Sequence, residues 1–331
     1  MKTRHLSVSP ADLAIAAALL NQGELVAFPT ETVYGLGANA MNPYAIDKVY
    51  TAKGRPSDNP LIVHVASCDA VLTVAREVNL LAKNLMNRFW PGPLTLVLPK
   101  RDEVPASVTA GLSTVAVRLP EHVIARELIR LANCPVAAPS ANRSGRPSAT
   151  TWEAVAEDLD GRIAAIVHGE PTHIGLESTV VDTTSTPPRV LRPGGISFDA
   201  IQELVPNLVP YRSTTDLESQ AQHNSPGLRH QHYRPRAKVV VVDNLSDGLP
   251  SASLTMTPQK NFYIGIHSPP WKDELHSVFI CRNVDEYAAK LFDCFRQADL
   301  AHATTILCES VSDDGIGAAL MDRLRRAAHI D

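Results

Sequence analysis

The sequence is poor in aromatic residues, has no strong excess of one charge, and lacks a long apolar run. Aromatic residues make up 5% of the 331 positions, and 31 Lys and Arg against 35 Asp and Glu give a net charge of −4. Such a chain is no general polyanion binder, so any nucleotide site must be a local concentration of basic side chains. The apolar stretch 11–20 is interrupted by Asp12 and is too short to cross a bilayer, which takes about 20 residues. We expect no membrane association.

Cysteine is scarce, and so are the common phosphate-binding motifs. The five cysteines are odd in number and form no CxxC pair, which argues against a disulfide framework or a zinc ribbon and favours a reducing cytoplasm. Neither GxxxxGKS nor GxxxxGKT occurs, so a P-loop is excluded. The glycines of 35–40 superficially fit a dinucleotide-binding fingerprint. That fingerprint requires a helix to begin within the glycine run, whereas here the signal for a helix start occurs only at Asn42-Pro43. We interpret these glycines as a tight loop.

The chain does contain enough apolar residues, 44% of the total, for a packed core, arranged with alternating helical and strand periodicity. Predicted helices cover 10–20, 43–53, 70–87, 122–132 and 151–159, and predicted strands cover 24–28, 61–66, 94–98, 114–119, 136–138, 163–167, 178–182 and 189–191. Because helices and strands interleave, residues 1–206 are predicted to form one α/β domain.

The periodic pattern lapses over residues 207–237, which we interpret as a linker. Its later half is basic and contains His223, His230 and His232, with no acidic residue. A zinc site is not favoured, because neither a suitable fourth ligand nor cysteine spacing accompanies these histidines. Residues 238–331 then carry strand and helix patterns that predict a smaller second α/β domain.

Four polar clusters follow predicted strand or helix ends, namely Lys53 with Arg55, Arg118, Ser140 to Asn142, and Arg192. Each has a simpler structural explanation as a dipole partner, a surface arginine, a helix cap or a turn. Open α/β sheets, however, place their ligand crevices at strand ends. Three arginines and a lysine with hydroxyl and amide groups suit a triphosphate or a carboxylate, so the pattern predicts a site for an anionic ligand.

Eight motifs, in this order, resemble the YrdC-like family of threonylcarbamoyl-AMP synthases. They are PTETVYGLG (29–37), KGRP (53–56), NPLIVH (59–64), WPGPLT (90–95), VRLP (117–120), APSAN (138–142), ESTVVD (177–182) and LRPG (191–194). The segment from Ser225 to Pro235 and the small domain behind it resemble the longer, two-domain form. One departure is Asp322-Arg323-Leu324, where the family pattern has Asn-Arg-Leu.

The resemblance implies both a fold and a reaction. The fold is a twisted, mixed-sheet α/β catalytic domain with a basic concave face, followed by the linker and a smaller, Rossmann-like α/β domain. In the reaction, L-threonine, bicarbonate and ATP, the last with Mg²⁺, give L-threonylcarbamoyladenylate and pyrophosphate. Downstream tRNA threonylcarbamoyl transferase machinery would use this product to modify an adenosine of tRNA. The net charge does not favour stable tRNA binding by this chain, and the competing interpretation is a non-catalytic RNA-binding module using the same cleft.

The resemblance also implies roles for individual residues, carried over motif by motif. The catalytic signature set is Lys53, Arg55, Ser140 and Asn142. The nucleotide side comprises Arg55, Asn59, Thr114, Ser140, Ser148, Arg192 and Tyr233, the last reaching back from the linker over the cleft. The threonine side comprises Thr32, His64, Arg118, Ala138 through its backbone, and Ser178. No metal ligand is assigned. Apart from the resemblance, Glu31 and Glu177 are candidates for paired catalytic carboxylates, but nothing in their spacing demands this role, and the alternatives are that each orients a loop or helps to hold Mg²⁺.

Proline is the one unusually frequent residue, with 25 in 331 positions against about 5% in average proteins. No Gly-X-Y period accompanies it, which excludes a collagen-like chain. Eleven of the prolines lie in or beside the motif segments. Because proline fixes its own φ and restricts the preceding residue, we interpret them as stiffening the loops around a ligand cleft.

Overall fold

The computed structural model describes residues 2–211, 233–247 and 260–328, which form two α/β units with one sheet each. The elements of the first unit are β1 (Arg4–Leu6), α1 (Pro10–Asn21), β2 (Val26–Phe28), β3 (Gly35–Asn39), α2 (Pro43–Lys53), β4 (Ile62–His64), α3 (Leu80–Phe89), β5 (Leu94–Pro99), α4 (Ala106–Thr109), β6 (Thr114–Arg118), α5 (Val123–Ala132), β7 (Val136–Ala137), α6 (Trp152–Leu159), β8 (Ala165–Val167), β9 (Thr179–Asp182), β10 (Arg189–Arg192) and α7 (Phe198–Gln202). Its sheet is mixed, in the order β1-β8-β2-β3-β7-β4-β6-β5-β9-β10.

The second unit is smaller, and its sheet is parallel throughout the described residues. Its elements are β11 (Lys238–Val242), β12 (Asn261–Gly265), β13 (Ser277–Ile280), α8 (Val284–Leu300), β14 (Thr305–Glu309) and α9 (Gly317–Ala328), and the strand order is β11-β14-β12-β13. The predicted fold class, a mixed-sheet α/β domain followed by a smaller Rossmann-like α/β domain, is confirmed. In the described part of the chain no helix is both long and apolar enough to span a membrane.

Several helices of the first unit begin where local sequence signals predict. The Asn42 side chain accepts hydrogen bonds from the backbone N–H groups of the first turn of α2, and Ser9 and Thr151 cap α1 and α6 in the same way. Pro10 and Pro43 occupy the first turn, where a missing N–H costs nothing. These boundaries are local and therefore predictable from the sequence.

The helix predicted over 70–87 is wrong as a single element. The chain forms a short 3₁₀ turn, Asp69–Thr73, and starts α3 only at Leu80. Between them Ala75 forms an antiparallel bridge with Lys100, which extends the backbone. The Asn79 side chain then caps α3 by accepting a hydrogen bond from a first-turn N–H, so the helical pattern is divided in two.

The glycines of 35–40 form strand β3 rather than the predicted loop, and β3 pairs antiparallel with β2. A Cβ atom at Gly37 would lie 2.8 Å from Phe28 Cε1 and 3.1 Å from Val136 Cγ1. Glycine is therefore needed here for close packing across the sheet and not for a turn. Strand β1 and helices α4 and α7 are further elements that the sequence pattern did not predict.

The two units pack closely against each other. Val33 and Leu176 of the first unit belong to the same buried apolar cluster as Leu291 and Phe292 of α8. A Cβ atom at Gly175 would lie 2.4 Å from the Cα atom of Ala289, so the loop before β9 touches the backbone of α8. The predicted linker, residues 207–237, falls mainly outside the described residues, including its three histidines, and the exact domain boundaries stay predictions.

Replacing Gly37 by alanine should destabilise the protein by about 1–3 kcal/mol, because the added methyl group overpacks the contact with Phe28. Gly35→Ala is the matched control on the same strand, since its nearest neighbours would be 3.2 and 3.4 Å away, and it should cost clearly less. Urea unfolding of both variants measures the difference. Equal losses would contradict the packing explanation.

Candidate functional site

A cleft of about 660 Å³, including the space open to solvent at its mouth, crosses one face of the large sheet. Pro60, Ile62 and His64 line it, and because side chains two residues apart share a face, the cleft follows β4 along its length. His64, Arg118 and Thr95 are register partners on β4, β6 and β5, so they form one row across the sheet.

Arg118 is buried at one end of the cleft and is held from several directions. Its guanidinium lies 2.6 Å from the Glu31 carboxylate, donates to the Thr32 hydroxyl at 2.8 Å, and donates to the Gly92 carbonyl at 3.3 Å. Burial alone would raise the pKa of Glu31, but the charge and hydrogen bonds of Arg118 outweigh it and hold that pKa below its ordinary value. Glu31 is therefore fixed against Arg118, and its role in the reaction stays a prediction.

His64 lies beside Arg118 and is neutral. Burial, with the neighbouring positive charge of Arg118, lowers the pKa of His64 to about 3. Its Nδ1 atom is buried and has no hydrogen-bond partner within the described residues. An unpaired buried nitrogen at a cleft wall is a group that a bound ligand can satisfy.

Ser178 connects this end of the cleft to Arg192. Its hydroxyl lies 2.7 Å from the Thr95 hydroxyl, and its backbone carbonyl accepts from Arg192 Nη2 at 2.9 Å. The carbonyl also accepts from Arg192 Nε at 3.1 Å, so the guanidinium is fixed at the wall of the cleft. Arg192, the last residue of β10, therefore lies at the cleft, as its place at a strand end predicts.

Arg55 and Lys53 lie at the opposite end of β4, and only Arg55 lines the cleft. The Arg55 guanidinium donates to the carbonyls of Asn59 and Pro60 at 3.4 and 3.1 Å, and burial lowers its pKa to about 10. Lys53 lies behind the cleft wall, where its ammonium donates to the carbonyls of Ser140 and Asn142, each at 2.5 Å. Burial and Arg55 hold the pKa of Lys53 well below its ordinary value. Lys53 therefore shapes the loop instead of facing the cavity.

The segment after β7 supplies the polar wall near Arg55. Ser140, Asn142 and Ser148 line the cleft, and the Asn142 amide nitrogen donates to the carbonyls of Arg143 and Arg146, both at 2.9 Å. These bonds leave Asn142 Oδ1 buried without a partner within the described residues. Asn142 Oδ1 is thus a second unsatisfied polar atom of the cleft, at the opposite end from His64 Nδ1.

Glu177 joins the cleft to the second unit. Its carboxylate accepts from the Ser148 hydroxyl at 2.7 Å and pairs at 2.8 Å with Arg323, a fully buried residue of α9. Arg323 also donates to the Pro193 carbonyl at 3.0 Å and lies over the Tyr233 ring. Burial by itself would raise the pKa of Glu177, but Arg323 and Arg192 hold it below its ordinary value.

The departure at Asp322 has a clear place in this arrangement. Its carboxylate lies 2.6 Å from Arg323 and 3.0 Å from Arg326, both on α9. It therefore neutralises two neighbouring arginines, one of which pairs with the cleft residue Glu177. Tyr233 lines the cleft as predicted, is buried, and stacks on Phe292 of α8 with 5.4 Å between the ring centroids.

Most of the predicted site residues meet in this single cleft. Those that line it are Thr32, Arg55, His64, Arg118, Ala138, Ser140, Asn142, Ser148, Ser178, Arg192 and Tyr233. Lys53 and Asn59 lie directly behind its wall. Thr114 does not line it, although it lies on the same side of β6 as Arg118, about 13 Å away along the strand.

Sequence reasoning missed three residues that shape the site. Thr95 was inside a recognised motif but carried no assigned function, and Arg146 lies four residues after Asn142 and lines the cleft. Arg323 is 130 and 146 residues from its partners Pro193 and Glu177 in the first unit, so no local signal could have placed it.

The cleft does not fit a resident Mg²⁺ held by protein carboxylates. Such sites use one or two carboxylates together with substrate phosphates. Glu31 and Glu177, the carboxylates considered for this purpose, are each paired with an arginine. In the described ranges no group of three or more His, Cys, Asp or Glu residues is arranged to hold a metal.

Comparison with known families gives matches over nearly the whole chain. A family model described as Telomere recombination, of the Sua5–YciO–YrdC group, matches residues 18–194. A second model, described as Threonylcarbamoyl-AMP synthase, C-terminal domain, matches residues 196–329.

Curated relatives of full length carry one name. The threonylcarbamoyl-AMP synthase of Pyrococcus abyssi is 43% identical over 323 residues, which cover 96% of this chain and 94% of that protein. The synthase of Bacillus subtilis is 44% identical and covers 98% of this chain and 95% of that protein. A putative synthase of Mycobacterium tuberculosis, 36% identical over 190 residues, covers 57% of this chain and 87% of that protein.

Solved structures agree with both units. Pyrococcus abyssi Sua5 complexed with L-threonine has a TM-score of 0.89 at 42% identity and covers 99% of this chain and 98% of that one. Escherichia coli YciO has a TM-score of 0.53 at 21% identity over 58% of this chain, which shows a shared fold for the first unit.

Glu177→Gln should destabilise the protein at pH 7 by about 3–5 kcal/mol, because it leaves the buried arginines without their counter-charge. The folded-state pKa of Glu177 is lowered, so its contribution is fully present above the ordinary value of about 4.5 and is lost as the pH falls from there through the lowered pKa. Urea unfolding at pH 7 and at a series of pH values below 4.5 should show the gap between the two proteins narrowing as the pH falls. Glu103→Gln, in an exposed ion pair with Arg101, is the control with a small effect, and a gap between Glu177→Gln and wild type that is independent of pH would disprove the charge pairing.

Proposed function

Because this chain belongs to the two-domain form of the Sua5–YrdC family of threonylcarbamoyl-AMP synthases, which are transferase enzymes, we propose that it makes L-threonylcarbamoyladenylate from L-threonine, bicarbonate and ATP with release of pyrophosphate. The product would serve downstream tRNA threonylcarbamoyl transferase machinery. The observation that carries the proposal is the meeting of Arg55, Arg118 and Arg192 in one cleft with hydroxyl and amide groups.

The chemistry requires fixed positive charge more than it requires a protein nucleophile. The amine of threonine attacks the carbon of bicarbonate, and loss of water gives a carbamate. One carbamate oxygen then attacks the α-phosphorus of ATP while pyrophosphate leaves. Negative charge builds on the phosphate oxygens, so prepositioned cations stabilise the transition state. Arg55 and Arg192 are held by backbone carbonyls before any ligand binds, which suits this task.

The threonine side is proposed at the Arg118 end of the cleft. Arg118 would hold the amino-acid carboxylate in a bidentate fork, a geometry that lysine cannot offer. Thr32, the neutral His64, the Ala138 backbone and Ser178 would surround the rest of the amino acid. A site that hydrogen-bonds the threonine hydroxyl would reject valine, because valine leaves a buried polar group unpaired. The relative solved with L-threonine supports this substrate.

The nucleotide side is proposed at the Arg55 end. Ser140, Asn142, Ser148, Arg192 and Tyr233 would contact ATP, and Asn142 Oδ1 is an acceptor that the described residues leave unused. Asn59 would act by orienting Arg55, and Thr114 by meeting the far end of the nucleotide. We propose that Mg²⁺ enters as part of the ATP complex, because the carboxylates near the cleft are occupied by arginines.

The direct test is pyrophosphate release by the purified full-length chain. Release should require L-threonine and bicarbonate together with ATP, and omission of either should reduce it to background. Threonine-independent release would point to hydrolysis or to another substrate. Salt-sensitive RNA binding without any pyrophosphate release would instead support the RNA-binding module and reject the synthase.

Arg118→Lys should raise the KM for L-threonine by roughly 10- to 100-fold, because hydrogen bonds to charged groups are worth about 1.5–3 kcal/mol and the fork is lost. The KM for ATP should change little. Arg130→Lys, an exposed arginine paired with Glu127, is the matched control with no effect. A parallel rise in both constants would argue against the carboxylate role.

A further inference from the structure

Arg296 lies on α8 of the second unit, which we call the C-terminal domain. Its side chain is inserted into the first unit, which we call the catalytic domain, and the residue is only 4% exposed. Its Nη2 donates to the Pro147 carbonyl at 2.6 Å and to the Asp158 carboxylate at 2.9 Å. Its Nη1 lies 3.3 Å from Glu157. The cleft residues of the proposed reaction do not include Arg296, so these contacts call for a different explanation.

Asp158, at the end of α6, is the centre of this cluster. Its side chain is completely buried, pairs with Arg146, and accepts a hydrogen bond from the backbone N–H of Arg143 at 3.1 Å. With the Arg296 bond to Pro147, the cluster holds the segment 143–147 at three points. On the other side of the segment, Ser144 N donates to the Lys53 carbonyl at 2.9 Å.

The segment held in this way builds the nucleotide side of the cleft. Arg146 lines the cavity, and Ser148 follows directly after the segment. The carbonyls of Arg143 and Arg146 accept from the Asn142 amide nitrogen, which fixes the direction of the unpaired Oδ1 atom. A displaced segment would therefore misdirect Asn142 without touching the amino-acid side.

We propose that Arg296 and Asp158 are positioning residues for the nucleotide, with the C-terminal domain supplying the arginine. The proposal rests on the proposed function, because it concerns the ATP side of the same cleft. Arg296 neutralises Asp158 together with Arg146 and ties Pro147 down, so the wall that meets ATP is in place before ATP binds. A shift of 1 Å in such a wall costs about 100-fold in rate.

The proposal predicts a separation between two kinetic constants. Arg296→Met keeps the apolar stem but removes the charge and the fork, and it should raise the KM for ATP at least about tenfold. The KM for L-threonine should stay within about twofold, because Arg118 hydrogen-bonds to Thr32, Ser178 hydrogen-bonds to Thr95 and Arg192, and within the described residues Thr32, Arg118 and Ser178 form no hydrogen bond to segment 143–147. Arg296→Lys should give an intermediate value, since a lysine pairs with Asp158 but has no fork.

The experiment uses full-length variants with ATP and L-threonine varied in turn in the pyrophosphate assay, and with direct ATP binding measured by calorimetry. Arg282→Met, which removes an exposed pair with Glu286 at the start of the same helix, is the control that should match wild type. Circular dichroism checks folding, and Arg296→Lys decides the matter if the methionine variant is unfolded. Unchanged ATP constants, or equal rises in the ATP and threonine constants, would overturn the proposal.

The calorimetry separates this proposal from the proposed function. A wild type that binds ATP but releases no threonine-dependent pyrophosphate rejects the synthase, and weaker ATP binding by Arg296→Met still supports the positioning role. A wild type that binds no ATP rejects both.

Discussion

Buried arginines paired with buried acceptors determine the geometry of this cleft. Arg118 is held by Glu31, Arg323 by Glu177, and Arg146 and Arg296 share Asp158. A guanidinium removed from water is costly unless its charge and donors are satisfied, so each pair is fixed in one arrangement. Because the partners belong to the protein, the cationic walls are already oriented before an anionic ligand arrives.

The parts of the fold that the sequence predicts are those with local causes. Asn42 followed by Pro43 starts α2 because the cap and the helix lie within four residues of each other. Gly37 was misinterpreted because the reason for it lies on other strands, in Phe28 and Val136, which are adjacent only after folding. The prediction of one helix over 70–87 was wrong for a similar reason. The bridge between Ala75 and Lys100 holds the backbone extended in a segment whose sequence periodicity is helical.

The residues of the candidate site likewise divide into those that a local sequence signal predicts and those whose partners are distant in the sequence. Motifs at strand and helix ends placed Arg55, Arg118, Ser140 and Arg192 correctly at one cleft, because strand ends converge by topology. The positioning partners were not predictable, since Glu177 meets an arginine 146 residues away and Asp158 meets one 138 residues away. Composition and spacing describe which chemical groups are available, whereas pairing over such separations is decided by how the two domains dock.

The two carboxylates that face the C-terminal domain have a consequence for shorter chains of this family. A chain that ends after the catalytic domain lacks both Arg296 and Arg323, so a carboxylate at the position of Glu177 would lose its arginine partner and one at the position of Asp158 would keep only Arg146. It would also expose the apolar surface that Val33 and Leu176 present to α8. In a chain without the second domain, other groups or water would therefore have to satisfy the Glu177 carboxylate and cover this apolar surface.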